Sequence, residues 1–172
     1  MSLITWTPEL ALQHTELDDT HEEFVGLLND FATALAGGGD PMPAFEALLA
    51  HTEAHFAMEE RWMAATGFAP ENCHSKQHQM VLDTLREVRR YALELQDLEP
   101  MRIIGPELAQ WFPAHAEMMD AALVFHMQQV GYDSTTGVLT KPEASEATAL
   151  QSAQAAQTAQ PITSCGSSSC GH

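Results

Sequence analysis

The chain has 172 residues and few basic side chains: 7 Lys and Arg stand against 24 Asp and Glu, a formal net charge of −17 with histidine neutral. A phosphate backbone or an anionic membrane selects for clustered Lys and Arg, so nucleic acid and membrane are excluded as partners. Of the acids, 22 lie in residues 1–133 together with 6 of the bases, so the acidity belongs to the folding segment and not to a tail. Ten glycines and nine prolines are too few for an all-β fold with many tight turns, while Ala, Leu, Glu, Gln and Met, all good helix formers, dominate. Three cysteines, an odd number in a chain long enough to fold without bridges, imply no disulfide framework. No apolar run approaches the roughly 18 residues of a membrane span, and Met1-Ser2-Leu3-Ile4-Thr5-Trp6 lacks the basic and apolar regions of a signal peptide. The expected compartment is the cytoplasm. What the chain has in excess is histidine, nine in all and eight of them before residue 127.

Apolar spacing and punctuation predict four helices. The first runs from about Asp18 to Ala36, with Phe24, Leu27, Leu28, Phe31 and Leu35 on one face and Gly37-Gly38-Gly39 after it. The second starts near Asp40-Pro41, a capping acid followed by proline, and carries Phe45, Leu48, Leu49, Phe56 and Met63 to Gly67. A third, from about Pro70 to Gln96, turns Val81, Leu85 and Val88 inward and Arg86, Arg89 and Arg90 to solvent. The fourth begins after Pro100 or Pro106 and reaches Val130. Pro113 inside it removes a backbone hydrogen bond, at a cost of about 3 kcal/mol, and predicts a kink that re-aims His115 or Asp120.

Four such helices with short connections predict an all-α, up-down-up-down antiparallel four-helix bundle over residues 1–133. From Ser134 to His172 the composition shifts to Ser, Thr, Ala, Gln and Gly without an apolar repeat, which predicts a disordered C-terminal tail with a short Ala/Gln helix near Ala144–Gln160. Cys165, Cys170 and His172 near its end are too few donors for a tight zinc or copper site, and are read as part of a tail without a specific ligand.

Chemistry enters through the histidines. His55 and Glu59 are spaced i, i+4, about 40° apart on one helical face, and His74 and His78 form the same pair on the third helix. His115 and Asp120 are spaced i, i+5, about 140° apart, so they share a site only if the helix is locally distorted. His21 stands just before the apolar run of the first helix. Singly such spacings mean little: about one His-xxx-Glu pair is expected by chance, and His51/His55 and His14/Asp19 are decoys of the same form. The informative feature is one donor set per helix, five imidazoles and two carboxylates in all. That mixture suits iron, manganese or zinc, and two carboxylates able to bridge suit two metals.

The ordered set His21, His55-Phe56-Ala57-Met58-Glu59-Glu60, His74-xxx-His78 and Trp111-xxx-His115-xxxx-Asp120, preceded by Trp6 and Asp18-xx-His21, resembles a bacterial hemerythrin from about Trp6 to Gly131. The resemblance implies a non-haem di-iron centre with an oxo or hydroxo bridge. It assigns His74, His78 and His115 to one iron, His21 and His55 to the other, and makes Glu59 and Asp120 the bridges. It further implies reversible O₂ binding at the two-histidine iron, which keeps an open position. By helical adjacency the walls of the O₂ pocket are Phe24, Phe56, Trp111, Phe112 and Ala116. Ala116 stands where the family often has a branched aliphatic residue, and implies a roomier pocket.

The chain is therefore expected to carry, store or deliver O₂ and not to be an enzyme. A stand-alone oxygen sensor is one alternative, and a di-iron enzyme acting on O₂, peroxide or nitric oxide is another. Five imidazoles with only two carboxylates favour binding over oxidation chemistry. His51, His14 and His126 are expected at the surface or outside the ligand set, Cys73 as a small buried residue, and Met58, Met63, Met118 and Met119 as core filler.

Overall fold

The computed structural model describes residues 2–68 and 73–140. After a 3₁₀ turn at Pro8–Leu10, the helices are α1 (Thr15–Ala36), α2 (Met42–Thr66), α3 (Cys73–Glu94), α4 (Glu99–His115) and α5 (Ala121–Val130), with a π turn at Ala116–Asp120 joining the last two. The fourth helix of the sequence is thus α4, the π turn and α5 in one rod. It begins at Glu99, ahead of both candidate prolines, with Pro100 in its first turn where a missing N–H is harmless.

Local chemistry sets the ends. At the start of α1 the His14 ring accepts from Leu17 N–H, and the Asp18 carboxylate accepts from the N–H groups of Leu12 and His14 at 2.7 and 3.1 Å. Gly67 and Gly131 end α2 and α5 with φ of 68° and 66°, the left-handed conformation that favours glycine. α4 stays helical through Pro106 and Pro113. The departure from α geometry starts three residues after Pro113, where Ala121 N–H reaches back five residues to the Ala116 carbonyl.

α1 packs on α2 and α4, α3 packs on α2 and α4, and α5 packs on α2, which closes a bundle of four main helices. The expected apolar faces are inside: Phe24, Leu28, Phe31, Phe45, Leu48, Leu49, Phe56, Met63, Val81, Leu85 and Val88 are all buried. Met118 departs from expectation, being 66 % exposed on the π turn. Arg86 and Arg89 are exposed as expected, and pair with Glu53 and Glu46 of α2. The amino-terminal segment is pinned to α1 by Asn29, whose side chain accepts from Leu3 N–H at 2.7 Å and donates to the Ile4 carbonyl at 2.8 Å. There the Leu3 side chain lies close against α4: a Cβ on Gly105 would stand 3.2 Å from a Leu3 methyl.

The core falls into two clusters. One is built on Phe24, Leu28, Phe31, Phe45, Leu48, Phe56, Leu108, Phe112 and Ala116, the other on Leu17, Trp62, Met63, Leu123, Val124 and Met127. Along α1 the order is Leu17, His21, Phe24, and across the π turn it is Ala116, Asp120, Leu123. The buried polar residues occupy the layer between the two apolar clusters.

Residues 134–140, expected to begin the tail, are part of the folded unit. Tyr132–Asp133 pairs antiparallel with Val138–Leu139, and the compact unit extends to Thr140. The turn between these strands is held by Asp133, whose carboxylate accepts from the N–H groups of Thr135 and Thr136. Two short strands need no apolar repeat, so composition does not reveal them. The Ala144–Gln160 stretch and Cys165, Cys170 and His172 lie outside the described residues. Among the described residues no helix is long and apolar enough to cross a membrane.

Candidate metal centre

All seven residues singled out by spacing are buried: His21, Glu59 and Asp120 have no exposure, and His55, His74, His78 and His115 are at most 4 % exposed. They form two groups, Glu59, His74, His78, His115 and Asp120 in one and His21, His55 and Glu59 in the other, each with its ligating atoms within 4.8 Å of one another. The π turn makes this possible. Regular α geometry would put His115 and Asp120 on different faces, but a turn widened by one residue brings i and i+5 together, and His115 Nε2 lies 3.1 Å from Asp120 Oδ1.

Each carboxylate divides its two oxygens between the groups. Glu59 Oε1 faces His55 Nε2, while Oε2 stands 2.9 Å from His74 Nε2 and 3.4 Å from His78 Nε2. Asp120 Oδ2 stands 3.2 Å from His21 Nε2, and its Oδ1 2.9 Å from His74 Nε2. Donors that share one ion at about 2.1 Å and at right angles stand about 3 Å apart, the spacing seen here.

Two further observations fit a metal and not a hydrogen-bonded core. Despite these short contacts, His21 Nδ1 and Nε2, His55 Nε2, both His74 nitrogens and all four oxygens of Glu59 and Asp120 are buried without a well-aligned hydrogen bond among the described residues. Each such orphan costs about 1–3 kcal/mol unless something else satisfies it. The second observation concerns tautomers. His78 Nδ1 faces the Glu60 carboxylate at 3.3 Å, which can only accept, so Nδ1 carries the proton. Trp111 Nε1–H donates to Gln77 Oε1, which fixes the amide, and the same oxygen accepts from His115 Nδ1 at 3.0 Å. Both Nε2 atoms therefore present lone pairs to each other across 3.2 Å. A cation between them removes that repulsion.

Electrostatics agree. Burial would raise the pKa of Glu59, but His55, His74 and His78 hold it well below the usual carboxylate range. Burial and the Glu59 charge oppose ionisation of Asp120, and His115, His21 and His74 outweigh them. Burial disfavours a charged His74, yet the carboxylates of Asp120 and Glu59 beside it raise its pKa to about 9. Before metal binds, the carboxylates are thus ready as ligands and His74 holds a proton that must leave. Between pH 6.5 and about 9, apparent metal affinity is expected to rise about tenfold per pH unit for that one proton and to level off above 9. Competition titrations with zinc at pH 6.5, 7.5 and 8.5 check it, and a flat profile refutes it.

The five aromatic and small residues expected around the site separate into two sets. The Phe112 ring centroid lies 5.0 Å from that of His21 and 5.0 Å from that of Phe24, beside the two-histidine group. Phe56 stacks on His78 at 3.8 Å and Trp111 on His115 at 4.3 Å, beside the three-histidine group. Ala116 is buried in the π turn. Trp6 meets His21 edge-on at 6.4 Å.

The other histidines among the described residues lie outside the set, as expected. His14 caps α1 beside Trp62, His126 Nε2 donates to the Thr66 carbonyl, and His51 Nε2 donates to the Thr20 carbonyl. Cys73 is exposed, contrary to expectation: it opens α3 and the helix turns it outward, one position before buried His74. Glu60 and Gln77 have no role in spacing arguments, because each orients a histidine on a neighbouring helix.

Fold and site together define a helical bundle built around a buried cluster of histidines and carboxylates arranged to hold metal. The hemerythrin HHE cation binding domain matches residues 13–124, a span that holds all seven residues, and the chain belongs to the hemerythrin family. It is 40 % identical over 134 residues to a bacteriohemerythrin of Ralstonia nicotianae, covering 78 % of this chain and 96 % of that protein. It is 28 % identical over 130 residues to a bacteriohemerythrin of Pseudomonas aeruginosa, covering 72 % of this chain and 81 % of that one. No solved structure matches the chain at comparable significance.

Proposed function

We propose that this protein binds O₂ reversibly at a non-haem di-iron centre, as a carrier or store and not as an enzyme. The observation that carries this reading is the unequal donor count. Three imidazoles and two carboxylate oxygens face one metal position, and two imidazoles and two carboxylate oxygens face the other. Two ferrous ions held there supply the electrons and the open coordination position that O₂ binding needs.

The protein's own part is to hold that position open and dry. His21 and His55 enter from adjacent helices, Glu59 and Asp120 fix the separation of the metals, and Phe24 and Phe112 close the side around His21 with rings that exclude water. His51, beside His55, is held neutral and is no ready proton source: burial lowers its pKa, and its Nε2–H is committed to Thr20. A ready proton source at the two-histidine side would favour reduction of O₂ over its release, so this arrangement supports binding over turnover.

Iron analysis and visible absorption through repeated cycles of oxygen removal and readdition test the reading. Two irons per chain and a spectrum that reverses over many cycles are expected. Sustained oxygen or peroxide consumption with a reductant would replace the carrier reading with an enzyme.

A further inference from the structure

We infer that Glu60 is a positioning residue which, acting through His78, biases the three-histidine metal toward its oxidised form and makes the two metals electronically unequal. The inference rests on the di-iron reading above and concerns a side chain outside the ligand set.

Glu60 lies on α2, next to Glu59 but about 100° round the helix, and reaches α3. Its Oε1 accepts from His78 Nδ1 at 3.3 Å and its Oε2 accepts from Ser75 Oγ at 3.0 Å, so one carboxylate is held at both ends by α3. With 44 % of the side chain exposed, its charge is solvated and needs no buried counter-ion. Phe56, stacked on His78 at 3.8 Å and 8° between planes, fixes the ring so that Nδ1 faces Glu60 while Nε2 faces the metal position.

Among the described residues, three of the other ligand histidines show no such partner. His115 Nδ1 meets the neutral amide of Gln77, and no hydrogen bond reaches His21 Nδ1 or His74 Nδ1. An imidazole whose N–H points at a carboxylate is a stronger donor through its other nitrogen. Stronger donation favours the ion of higher charge, so the ferric state gains over the ferrous state at this metal.

Glu60→Gln keeps an acceptor of the same shape and removes the charge, while Glu60→Ala removes both. Each is compared with the unmodified chain in an anaerobic redox titration of the iron-loaded full-length protein with a mediator series. Glu60→Gln should still take up two irons, with a midpoint more positive by about 59 mV, a tenfold loss of ferric over ferrous preference in a one-electron step. Glu60→Asp should recover part of the shift. Glu60→Ala should add a roughly 10- to 100-fold loss of affinity, read by zinc competition. Unchanged midpoints in both Glu60→Gln and Glu60→Ala overturn the inference. The titration contains no O₂, so a protein that shows the shift but does not bind O₂ reversibly refutes the carrier reading alone. An unmodified chain that takes up no iron overturns both.

Discussion

Glu59→Ala should purify without a stable metal pair: at most one iron per chain, against two for the unmodified protein under the same loading conditions. Glu59 is fully buried, and its two oxygens face histidines of both groups. Alanine removes one donor from each metal position and the negative charge that offsets two divalent ions. The cavity left behind keeps its imidazoles but holds a cation by fewer bonds and without that charge. His51→Ala is the matched control. It deletes a histidine one turn away on the same helix, where the ring bonds to Thr20 and not to the donor groups, so iron content should stay at two. Metal analysis of the two variants decides the matter. A depleted His51→Ala beside a fully loaded Glu59→Ala would place the site one turn earlier on α2.

Removing the metals with a chelator should lower the melting temperature by roughly 8–16 °C. An ion present at a thousand times its dissociation constant contributes about 4 kcal/mol, and each kcal/mol corresponds to about 2–4 °C for a domain of this size. The origin is local, since the buried nitrogens and oxygens of His21, His55, Glu59, His74 and Asp120 lose the partner that satisfied them. The deficit should also depend on pH with a definite sign. His74 has a pKa raised to about 9 in the metal-free fold; its stabilising contribution is complete below about pH 6.5 and is lost as the pH rises through 9. Calorimetry of the chelated protein should therefore show the melting temperature falling further between pH 7 and 9.5. With metal bound His74 has no proton to lose, and its contribution to that slope disappears. Equal melting temperatures with and without metal would mean that the polar layer satisfies itself.

The helices and all seven donors were legible because burial imposes a period on apolar residues and metal ligands must share a face. His55 with Glu59 and His74 with His78 follow that rule with no correction. His115 and Asp120 do not, since a count of 100° per residue assumes one helical geometry throughout. The five-residue hydrogen bond at Ala116–Ala121 changes the count over a single turn, and no residue type in Ala-Glu-Met-Met-Asp announces it. Pro113 pointed to a disturbance but not to its form. Glu60 and Gln77 were illegible for another reason: each orients a histidine of the next helix, and pairing across helices leaves no periodic trace in either one. Cys73 was misjudged because an exposed position and a buried one are adjacent on a helix, and composition alone does not separate them.

The division of each bridging carboxylate between two metal positions has a consequence for loading. Glu59 belongs to both groups, and Asp120, which stands with the three histidines, reaches His21 of the other through Oδ2 at 3.2 Å, so neither ion would meet a complete set of protein donors alone. An ion in the three-histidine group settles both carboxylates, and thereby orients two of the four protein donors awaiting the second. The ordering cost is met largely once, which makes uptake positively cooperative. At limiting iron the protein should divide into empty and doubly filled chains, with singly filled chains rare, so its response to iron supply is closer to a threshold than to a gradual filling.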